Sequence, residues 1–365
     1  VMSKKINRCL ILEGISMLIE LRAKNCFSFS DEIRFSTKAD MRNKKFSSNV
    51  HTENNFNILK TVGIYGPNNA GKTCLVKCIR SAMNILLNQK PRIMPNIFQE
   101  STICQLGITF LEEGREFSYD FWYDDKKEEY PYEKFAEITK DQYGNEKETV
   151  WLLKDIINGN CQYGDEDLLK MMPLISQSNL LFYLVDSSKF QQLAEMKRIV
   201  TKFASRIDIV NMNNIPLKRT INLMKNQNDL QRKVVEFIKN SDLYMDDFEY
   251  VDMDKIRIKM DSDEEKPEEK ALDIPDQIMD QIRLVSVYRG VAVPSVLFDS
   301  TGTKKIAALA SYIIEGIEQG RILVVDELDS SIHFKLTRAI VAMFNNELNT
   351  SAQMIFTVHD INLID

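Results

Sequence analysis

The stretch that most constrains the fold is "GPNNAGKT", Gly66 to Thr73, which matches the pattern G-x-x-x-x-G-K-T. The apolar run "NILKTVGIYG" before it predicts a short strand, and "KTCLVKCIRSAMNILLN" after it has apolar residues at helical spacing. A strand, a glycine-rich turn and a helix in this order present backbone N–H groups to phosphate oxygens. The context on both sides argues against a chance match to the pattern.

The residue types in this loop predict the contacts that it would make to a nucleotide. Lys72 adds a mobile positive charge for the terminal phosphates, and the hydroxyl of Thr73 is placed to bind Mg²⁺. The predicted nucleotide-binding residues of the loop are Gly66, Pro67, Asn68, Asn69, Ala70, Gly71, Lys72, Thr73 and Cys74.

A second apolar strand, within "RILVVDELD", ends in Asp326 and Glu327. Ligands bind at such carboxyl edges in parallel α/β sheets. We expect Asp326 to hold Mg²⁺, directly or through water, and Glu327 to orient or deprotonate the attacking water. The alternative is an ordinary acidic pair at a strand end, and it is the weaker interpretation beside a phosphate loop.

Two further stretches add candidate contacts to the γ-phosphate. In "FTVHD" an apolar strand ends at His359, which we interpret as a sensor of that phosphate, although a lone histidine is more often structural. In "FDSTGTKK" Ser300 and Gly302 precede an apolar, helix-like run, and such a helix start can bind an anion. A simple Ser/Thr N-cap explains that stretch about equally well.

The bulk properties limit the class of protein. The net charge of −6 and the pI near 5.4 argue against a generally basic nucleic-acid binder, while binding through a local basic patch stays open. No apolar run is long enough to cross a bilayer, and the six cysteines lack the spacing of metal ligands. We therefore expect a cytoplasmic protein with reduced thiols and no membrane partner.

The motifs occur together in one known family. "GPNNAGKT", "DSTGTKK", "ILVVDELDSSIH" and "FTVHD" stand in the order and context of the ABC-type ATPases. The chain is most similar to the bacterial AAA group related to the overcoming-lysogenisation-defect proteins, RecF and SMC heads, and "LIELRAKNCFSF" resembles that group's first strand. The resemblance implies an α/β P-loop NTPase of ABC-ATPase type, with an antiparallel β meander lobe and a helical insertion.

The resemblance also implies the cofactors and the residues that act within one subunit. ATP and Mg²⁺ are the expected cofactors, and the enzyme activity would be ATP hydrolysis. Lys72, Thr73, Asp326 and Glu327 would act on the nucleotide of their own subunit, with His359 as the switch histidine. The expected catalytic residues are thus Lys72, Glu327 and His359, and the expected metal ligands are Thr73 and Asp326.

Other residues would act across a subunit interface, because the family forms head-to-head homodimers with two ATP molecules between the subunits. Ser300 and Gly302 would match the signature loop, which acts on the nucleotide of the partner subunit. Asp329 with Ser330 would match a turn that crosses the interface. Asp299 stands where the family usually has glutamate, a shorter carboxylate of the same charge, so we expect its role to survive.

The resemblance covers both expected ATPase halves, and the remaining segments carry no closely matching motif. The usual glutamine lever is not identified, since Gln99 and Gln105 are both candidates. The chain stops six residues beyond His359, so we expect a truncated C-terminal half. The expected segments are a leader that is not native (1–16), an N-terminal ATPase half with the phosphate loop and β lobe (17–150), a helical insertion with an acidic linker (151–280), and a C-terminal ATPase half (281–365).

The predicted function is that of the regulatory motor or sensor of a bacterial anti-phage or toxin system, with a separate toxin or nuclease as effector. An ATP-gated scaffold with incidental turnover is the first alternative, and a DNA-repair ATPase of the RecF or SMC type is the second. A small-molecule kinase is disfavoured because it has no use for a signature turn and a switch histidine. A GTPase is disfavoured because the Asn-Lys-x-Asp base reader does not occur in the sequence.

Overall fold

The computed structural model describes residues 14–42, 46–53, 56–141, 145–226, 228–241, 244–251 and 276–359. Most of the expected leader and the whole acidic stretch 261–270 lie outside these residues. Ser16, the last residue of the expected leader, is buried in the first strand and donates a hydrogen bond to Glu112. The first strand therefore begins one residue before the expected domain start at Met17.

The described residues form four sheets and the helices around them. The strands are β1 (Ser16–Lys24), β2 (Ile33–Ser36), β3 (Val50–Glu53), β4 (Phe56–Leu59), β5 (Thr61–Ile64), β6 (Ile103–Glu112), β7 (Arg115–Asp124), β8 (Glu129–Lys140), β9 (Glu146–Asp155), β10 (Asn160–Tyr163), β11 (Ile207–Asn211), β12 (Asp247–Tyr250), β13 (Leu284–Tyr288), β14 (Val291–Pro294), β15 (Ile322–Asp326) and β16 (Gln353–Thr357). The α-helices are α1 (Lys72–Leu86), α2 (Glu166–Met171), α3 (Leu181–Leu184), α4 (Gln191–Ser205), α5 (Lys218–Lys225), α6 (Asp229–Ser241), α7 (Asp276–Ile282), α8 (Ser295–Phe298), α9 (Thr301–Gln319) and α10 (Phe334–Asn345).

A seven-stranded antiparallel sheet forms the β lobe, with the order β10-β9-β8-β7-β6-β1-β2. Because side chains alternate between the two faces of a strand, Phe117, Tyr119 and Phe121 of β7 are all buried on one face. Phe110 of β6 stacks on Phe203 of α4, with ring centroids 4.1 Å apart. The antiparallel meander predicted from the aromatic strands is confirmed.

A four-stranded parallel sheet, with the order β11-β15-β16-β5, carries the ends of the sequence motifs. Its strand β15 is buried along its whole length, and its alternate residues belong to two different hydrophobic cores. Ile322 and Val324 pack in the core that contains α1, whereas Leu323 and Val325 pack in the core that contains α9 and α10. Helices thus cover both faces of the sheet, as the near-continuous apolar sequence of β15 requires. The predicted α/β class is confirmed.

The segment expected as a helical insertion differs from that expectation. Strand β11 lies within it and pairs in parallel with β15, so this part of the segment belongs to the parallel sheet. Strand β9 runs across the expected boundary at residue 150. Five residues between the amphipathic helices α4 and α5 give little periodic signal, which is why the helical pattern of the flanks dominated the prediction.

Candidate nucleotide site

The phosphate loop connects β5 to α1 in the predicted strand, turn and helix order. Gly71 has φ 88°, and a Cβ added there would lie 3.1 Å from the ring of Phe29, so this position requires glycine. Asn69 also has a left-handed backbone, with φ 67°. No side chain of the described residues caps the first turn of α1, which leaves its N–H groups available to phosphate oxygens.

The side chain of Lys72 is buried and points back into the loop. Its Nζ donates to the carbonyl oxygens of Gly66, at 2.5 Å, and Pro67, at 2.9 Å. The same Nζ lies 3.4 Å from Nδ1 of His359. The ammonium group thus donates to neutral acceptors inside the loop, so its positive charge is available to a phosphate oxygen.

Asp326 stands at the carboxyl end of β15 with only 2 % of its surface exposed. Its Oδ1 accepts hydrogen bonds from the hydroxyls of Thr357, at 2.7 Å, and Thr73, at 3.3 Å. Its Oδ2 accepts from Nδ2 of Asn211 at 2.9 Å. The hydroxyl of Thr73 and the carboxylate of Asp326 together supply the hard oxygen ligands that Mg²⁺ prefers, so the residues present fit this metal.

The remaining ligands of such a metal would come from the nucleotide and from water. Within the described ranges, no group of three or more His, Cys, Asp or Glu side chains could hold a metal ion. Mg²⁺ commonly keeps several waters and binds one or two protein oxygens together with substrate phosphates. The pair of oxygens from Thr73 and Asp326 matches that usage.

Glu327 follows Asp326 in a left-handed conformation, with φ 59°, which is costly for a residue with a Cβ. Two hydrogen bonds to Thr357 of β16 hold this backbone: Glu327 N donates to the hydroxyl at 2.8 Å, and Leu328 N donates to the carbonyl oxygen at 2.9 Å. The carboxylate of Glu327 accepts a hydrogen bond from Nδ2 of Asn213. The turn therefore directs the side chains of Asp326 and Glu327 to different partners.

One open cleft of about 460 Å³ lies beside the phosphate loop, and Asp326 is not among the residues that line it. Glu327 and His359 line it together with residues of the phosphate loop, and Ser28 from the loop after β1 completes it. The backbone N–H of His359 donates to Oδ2 of Asp329 at 2.8 Å, and its ring is exposed. The lining residues are Ser28, Asn68, Asn69, Ala70, Gly71, Lys72, Thr73, Cys74, Glu327 and His359.

Ser300 and Gly302 do not line this cleft. Ser300 is the N-cap of α9, and its Oγ accepts from Thr303 N at 3.1 Å, so the simple capping role is present. A Cβ added to Gly302 would lie 2.8 Å from the carbonyl oxygen of Ser331, so glycine permits the close approach of α9 to the turn after β15. Ser300 is exposed at the start of α9.

The junction before α9 is fixed by Asp299, whose side chain is buried. Its carboxylate accepts hydrogen bonds from the hydroxyls of Ser286 at 2.6 Å, Ser295 at 2.5 Å and Tyr288 at 2.9 Å. Three charge-assisted hydrogen bonds satisfy the buried charge and hold Ser300 in a defined place. An aspartate at this position is therefore well placed to support the helix start.

Comparison with known proteins gives one match to a family model. Residues 198–365 match a family model described as "AAA domain, putative AbiEii toxin, Type IV TA system". The match covers the part of the chain that contains Asp326, Glu327 and His359. The resemblance that the sequence motifs indicate is confirmed. A search of curated proteins gives no match.

Among solved structures, the chain is similar in fold to an SMC head domain from Thermotoga maritima, with 13 % identity over 95 % of this chain and 90 % of that chain and a TM-score of 0.40. It is also similar to an Smc head with an extended coiled coil bound to the C-terminal domain of ScpA, derived from Pyrococcus furiosus, with 12 % identity over 96 % and 91 % of the two chains and a TM-score of 0.41. No helix in the described part of the chain is both long and apolar enough to cross a membrane.

The structure contains candidate site residues that the sequence interpretation missed. Asn211 and Asn213 at the end of β11 contact the two carboxylates, whereas neither Gln99 nor Gln105 lines the cleft. Gln105 lies in β6 of the antiparallel sheet. The available signal was "IDIVNMNN", a short apolar strand that ends in asparagines, and its position beside β15 depends on long-range pairing.

Proposed function

We propose that the chain binds and hydrolyses ATP as a homodimer, with each nucleotide held between two subunits. The observation that carries this proposal is the convergence of the phosphate loop, Glu327 and His359 on one cleft, while Ser300 and Gly302 lie outside it. A helix start with an exposed serine and a nearby glycine suits an anion that another subunit brings. Each protomer would then hold only part of two reaction centres.

The residues of the cleft and Asp326, which contacts Thr73, would divide the chemistry among them. The N–H groups of the loop and the ammonium group of Lys72 would bind the phosphates, and Thr73 with Asp326 would hold Mg²⁺. Bound Mg²⁺ supplies positive charge beside the β- and γ-phosphates. The carboxylate of Glu327 would orient water and accept its proton, and His359 would donate a hydrogen bond to the γ-phosphate.

For the biological role, we propose a regulatory ATPase in the cytoplasm that acts in an anti-phage or toxin system with a separate effector. The description of the matched family model, which names a toxin and a Type IV TA system, supports this assignment. The support is analogy at the level of the family and not chemistry of the site.

Mixing two inactive variants tests the shared site. Ser300→Arg should abolish turnover and leave the ATP affinity of the monomer nearly unchanged, because the damage falls on the partner's nucleotide. Lys72→Ala should be inactive because it removes the phosphate-binding charge. In an equal mixture about half of the dimers are mixed and each has one intact site, so phosphate release should recover to about a quarter of the wild-type rate.

The control is Ser178→Arg, which places the same side chain on an exposed loop of the β lobe and should keep full activity. Mixtures that stay inactive at high protein concentration would contradict a shared site. A wild-type monomer that remains fully active at nanomolar dilution would contradict it independently.

A further inference from the structure

Asn213 joins three elements of the catalytic edge through its side-chain amide. Strands β11 and β15 pair with Asn211 directly opposite Asp326, and Asn213 follows two residues later. Its Nδ2 donates to Oε2 of Glu327. Its Oδ1 accepts from Oγ of Ser330 at 2.8 Å, and Nζ of Lys305 lies 3.5 Å from the same oxygen.

The amide is held in place although it is exposed. The backbone N–H of Asn213 donates to Oδ1 of Asn211 at 2.8 Å, which caps the short turn after β11. Asn211 in turn donates to Asp326, so the turn is fastened to the end of β15. An exposed side chain with a fixed backbone and partners at both ends of its amide has a defined orientation.

The far end of this cluster is the start of α9. Nζ of Lys305 also lies 3.1 Å from Oγ of Ser330 and 3.1 Å from Oγ of Ser331. Gly302 contacts the carbonyl of Ser331 on the same side. A movement of the α9 start would therefore change the hydrogen bonds of Ser330 and, through the amide oxygen of Asn213, those of its nitrogen.

We propose that Asn213 is the positioning residue for Glu327 and that it links the orientation of this carboxylate to the start of α9. The amide nitrogen fixes Oε2 and leaves the other carboxylate oxygen free to accept a proton from water. The amide oxygen contacts Ser330 and Lys305, so the orientation of Glu327 depends on these two residues. They lie next to the helix start that would bind the partner's nucleotide. The inference rests on the proposed ATPase function and deepens it with a route by which the dimer contact reaches the catalytic group.

Asn213→Asp distinguishes the role of the amide nitrogen from that of the amide oxygen. It keeps an acceptor for Ser330 and Lys305 but replaces the donor to Glu327 with a repelling oxygen. We expect the single-turnover rate at saturating ATP to fall by about tenfold in Asn213→Ala and further in Asn213→Asp, since a hydrogen bond to a charged group is lost. The dissociation constant for ATP should stay within about twofold, because Asn213 is not among the residues that line the cleft.

Asn214→Ala is the matched control, since it removes the same side chain from the next exposed position and should hydrolyse ATP at the wild-type rate. Ser330→Ala should lower the rate by about twofold to threefold, because it removes only a neutral hydrogen bond to the amide oxygen. Thermal unfolding of each variant reports whether the fold is kept.

Wild-type rates in both Asn213 variants would overturn the inference and leave the proposed function standing. Parallel losses of ATP affinity and rate, or an equal loss in Asn214→Ala, would show a structural role and overturn it as well. A wild-type protein that hydrolyses no more ATP than Glu327→Gln would refute the proposed function itself, and the positioning role with it.

Discussion

Two buried carboxylates, Glu133 in the antiparallel sheet and Asp326 in the parallel sheet, are held by different kinds of partner. The side chain of Glu133 is 0 % exposed and contacts the ammonium group of Lys154, which is 2 % exposed, at 2.5 Å. It also accepts hydrogen bonds from the hydroxyl of Tyr119 at 2.9 Å and from Leu181 N at 3.1 Å. The hydrogen-bond partners of Asp326 are instead neutral hydroxyl and amide groups.

The difference indicates which charge is available to a ligand. A carboxylate beside a fixed cation is already neutralised, and in the β lobe this pair fastens α3 to the sheet through Leu181. A carboxylate held by neutral donors keeps its charge for an incoming cation, at the edge where the phosphate loop also ends. The buried carboxylate of Glu133 in the antiparallel sheet thus contributes to the stability of the fold. The buried carboxylate of Asp326 in the parallel sheet instead keeps a charge that a ligand cation can neutralise.

The largest expected effect lies at the parallel sheet. Glu327→Gln keeps the shape of the side chain but removes the proton acceptor, so kcat should fall by about 10²- to 10⁴-fold. Phosphate release under steady-state conditions measures the loss, and ATP affinity and the free energy of unfolding should change little.

The matched control is Glu347→Gln, an exposed glutamate in the segment that leads into β16, at the opposite edge of the same sheet. Equal, low activity of the wild type and Glu327→Gln, with dimerisation still driven by ATP, would favour the ATP-gated scaffold over the ATPase.

A substitution in the buried pair of Glu133 and Lys154 should instead lower stability and leave ATP affinity unchanged. Lys154→Met leaves the charge of Glu133 buried and unpaired, which should cost about 3–5 kcal/mol of unfolding free energy. The affinity for ATP of the protein that remains folded should not change, because neither residue lines the nucleotide cleft. Urea unfolding and a nucleotide-binding titration measure the two quantities.

The control for this substitution is Lys134→Met in the same sheet. Lys134 and Glu148 also form an ion pair, at 2.7 Å, but their side chains are 27 % and 42 % exposed. Its loss should cost less than about 1 kcal/mol, as is usual for surface pairs. Equal destabilisation by the two methionine substitutions would remove the contrast between buried and exposed charge.

The two regions also differ in how far the sequence predicts them. The phosphate loop and Asp326 with Glu327 are recognisable because each sits in a continuous stretch whose own pattern gives a strand end or a turn. The meander is predictable for the same reason, since aromatic residues alternate along β7 at Phe117, Tyr119, Phe121 and Tyr123. Local patterns of this kind can be recognised in the sequence without knowledge of the tertiary fold.

The contacts of Asn211 and Asn213 could not be predicted, because they join residues more than a hundred positions apart through the pairing of β11 with β15. No local pattern specifies which five-residue strand adds to the edge of a parallel sheet. Ser28 was missed because the first loop meets the phosphate loop through tertiary packing, with Phe29 and Ser28 beside Gly71. The role of Ser300 across an interface needs a second copy of the chain, so it stays a proposal.

A smaller effect is expected where α9 approaches the turn after β15. Gly302→Ala places a Cβ against the backbone oxygen of Ser331, and such overpacking typically costs about 1–3 kcal/mol. Because it displaces the helix start from the turn, turnover should fall by about tenfold while monomer affinity for ATP is kept.

Gly316→Ala, in the same helix, is the control. A Cβ there would make ordinary contact at 3.7 Å with the ring of Phe344, and alanine should stabilise the helix by up to about 1 kcal/mol. If both alanine variants turn over ATP at the same rate, the close approach at Gly302 has no part in the site.

The smallest expected effect is a pH dependence of stability, and it belongs to the antiparallel sheet. Glu113, in the turn between β6 and β7, accepts hydrogen bonds from Arg198 and Lys202 of α4, and these contacts lower its pKa from 4.5 to about 2. Because the folded-state pKa lies below the unfolded value, the unfolded state takes up the proton first as the pH falls. The contribution to stability is therefore complete above pH 4.5 and is lost as the pH falls towards 2.

Comparison with Glu113→Gln isolates this contribution from those of other carboxylates. The glutamate side chain is 31 % exposed, so solvent screening should limit the difference in unfolding free energy to about 1 kcal/mol at pH 7. Urea unfolding of both proteins at pH 7 and at pH 3 measures it, and the difference should shrink at the lower pH. The neighbouring Glu112 should show the opposite pH dependence of stability, because burial raises its pKa. Its charge should therefore oppose folding increasingly as the pH rises. A difference for Glu113→Gln that grows on acidification would show that the ion pairs with α4 do not hold the lobe together.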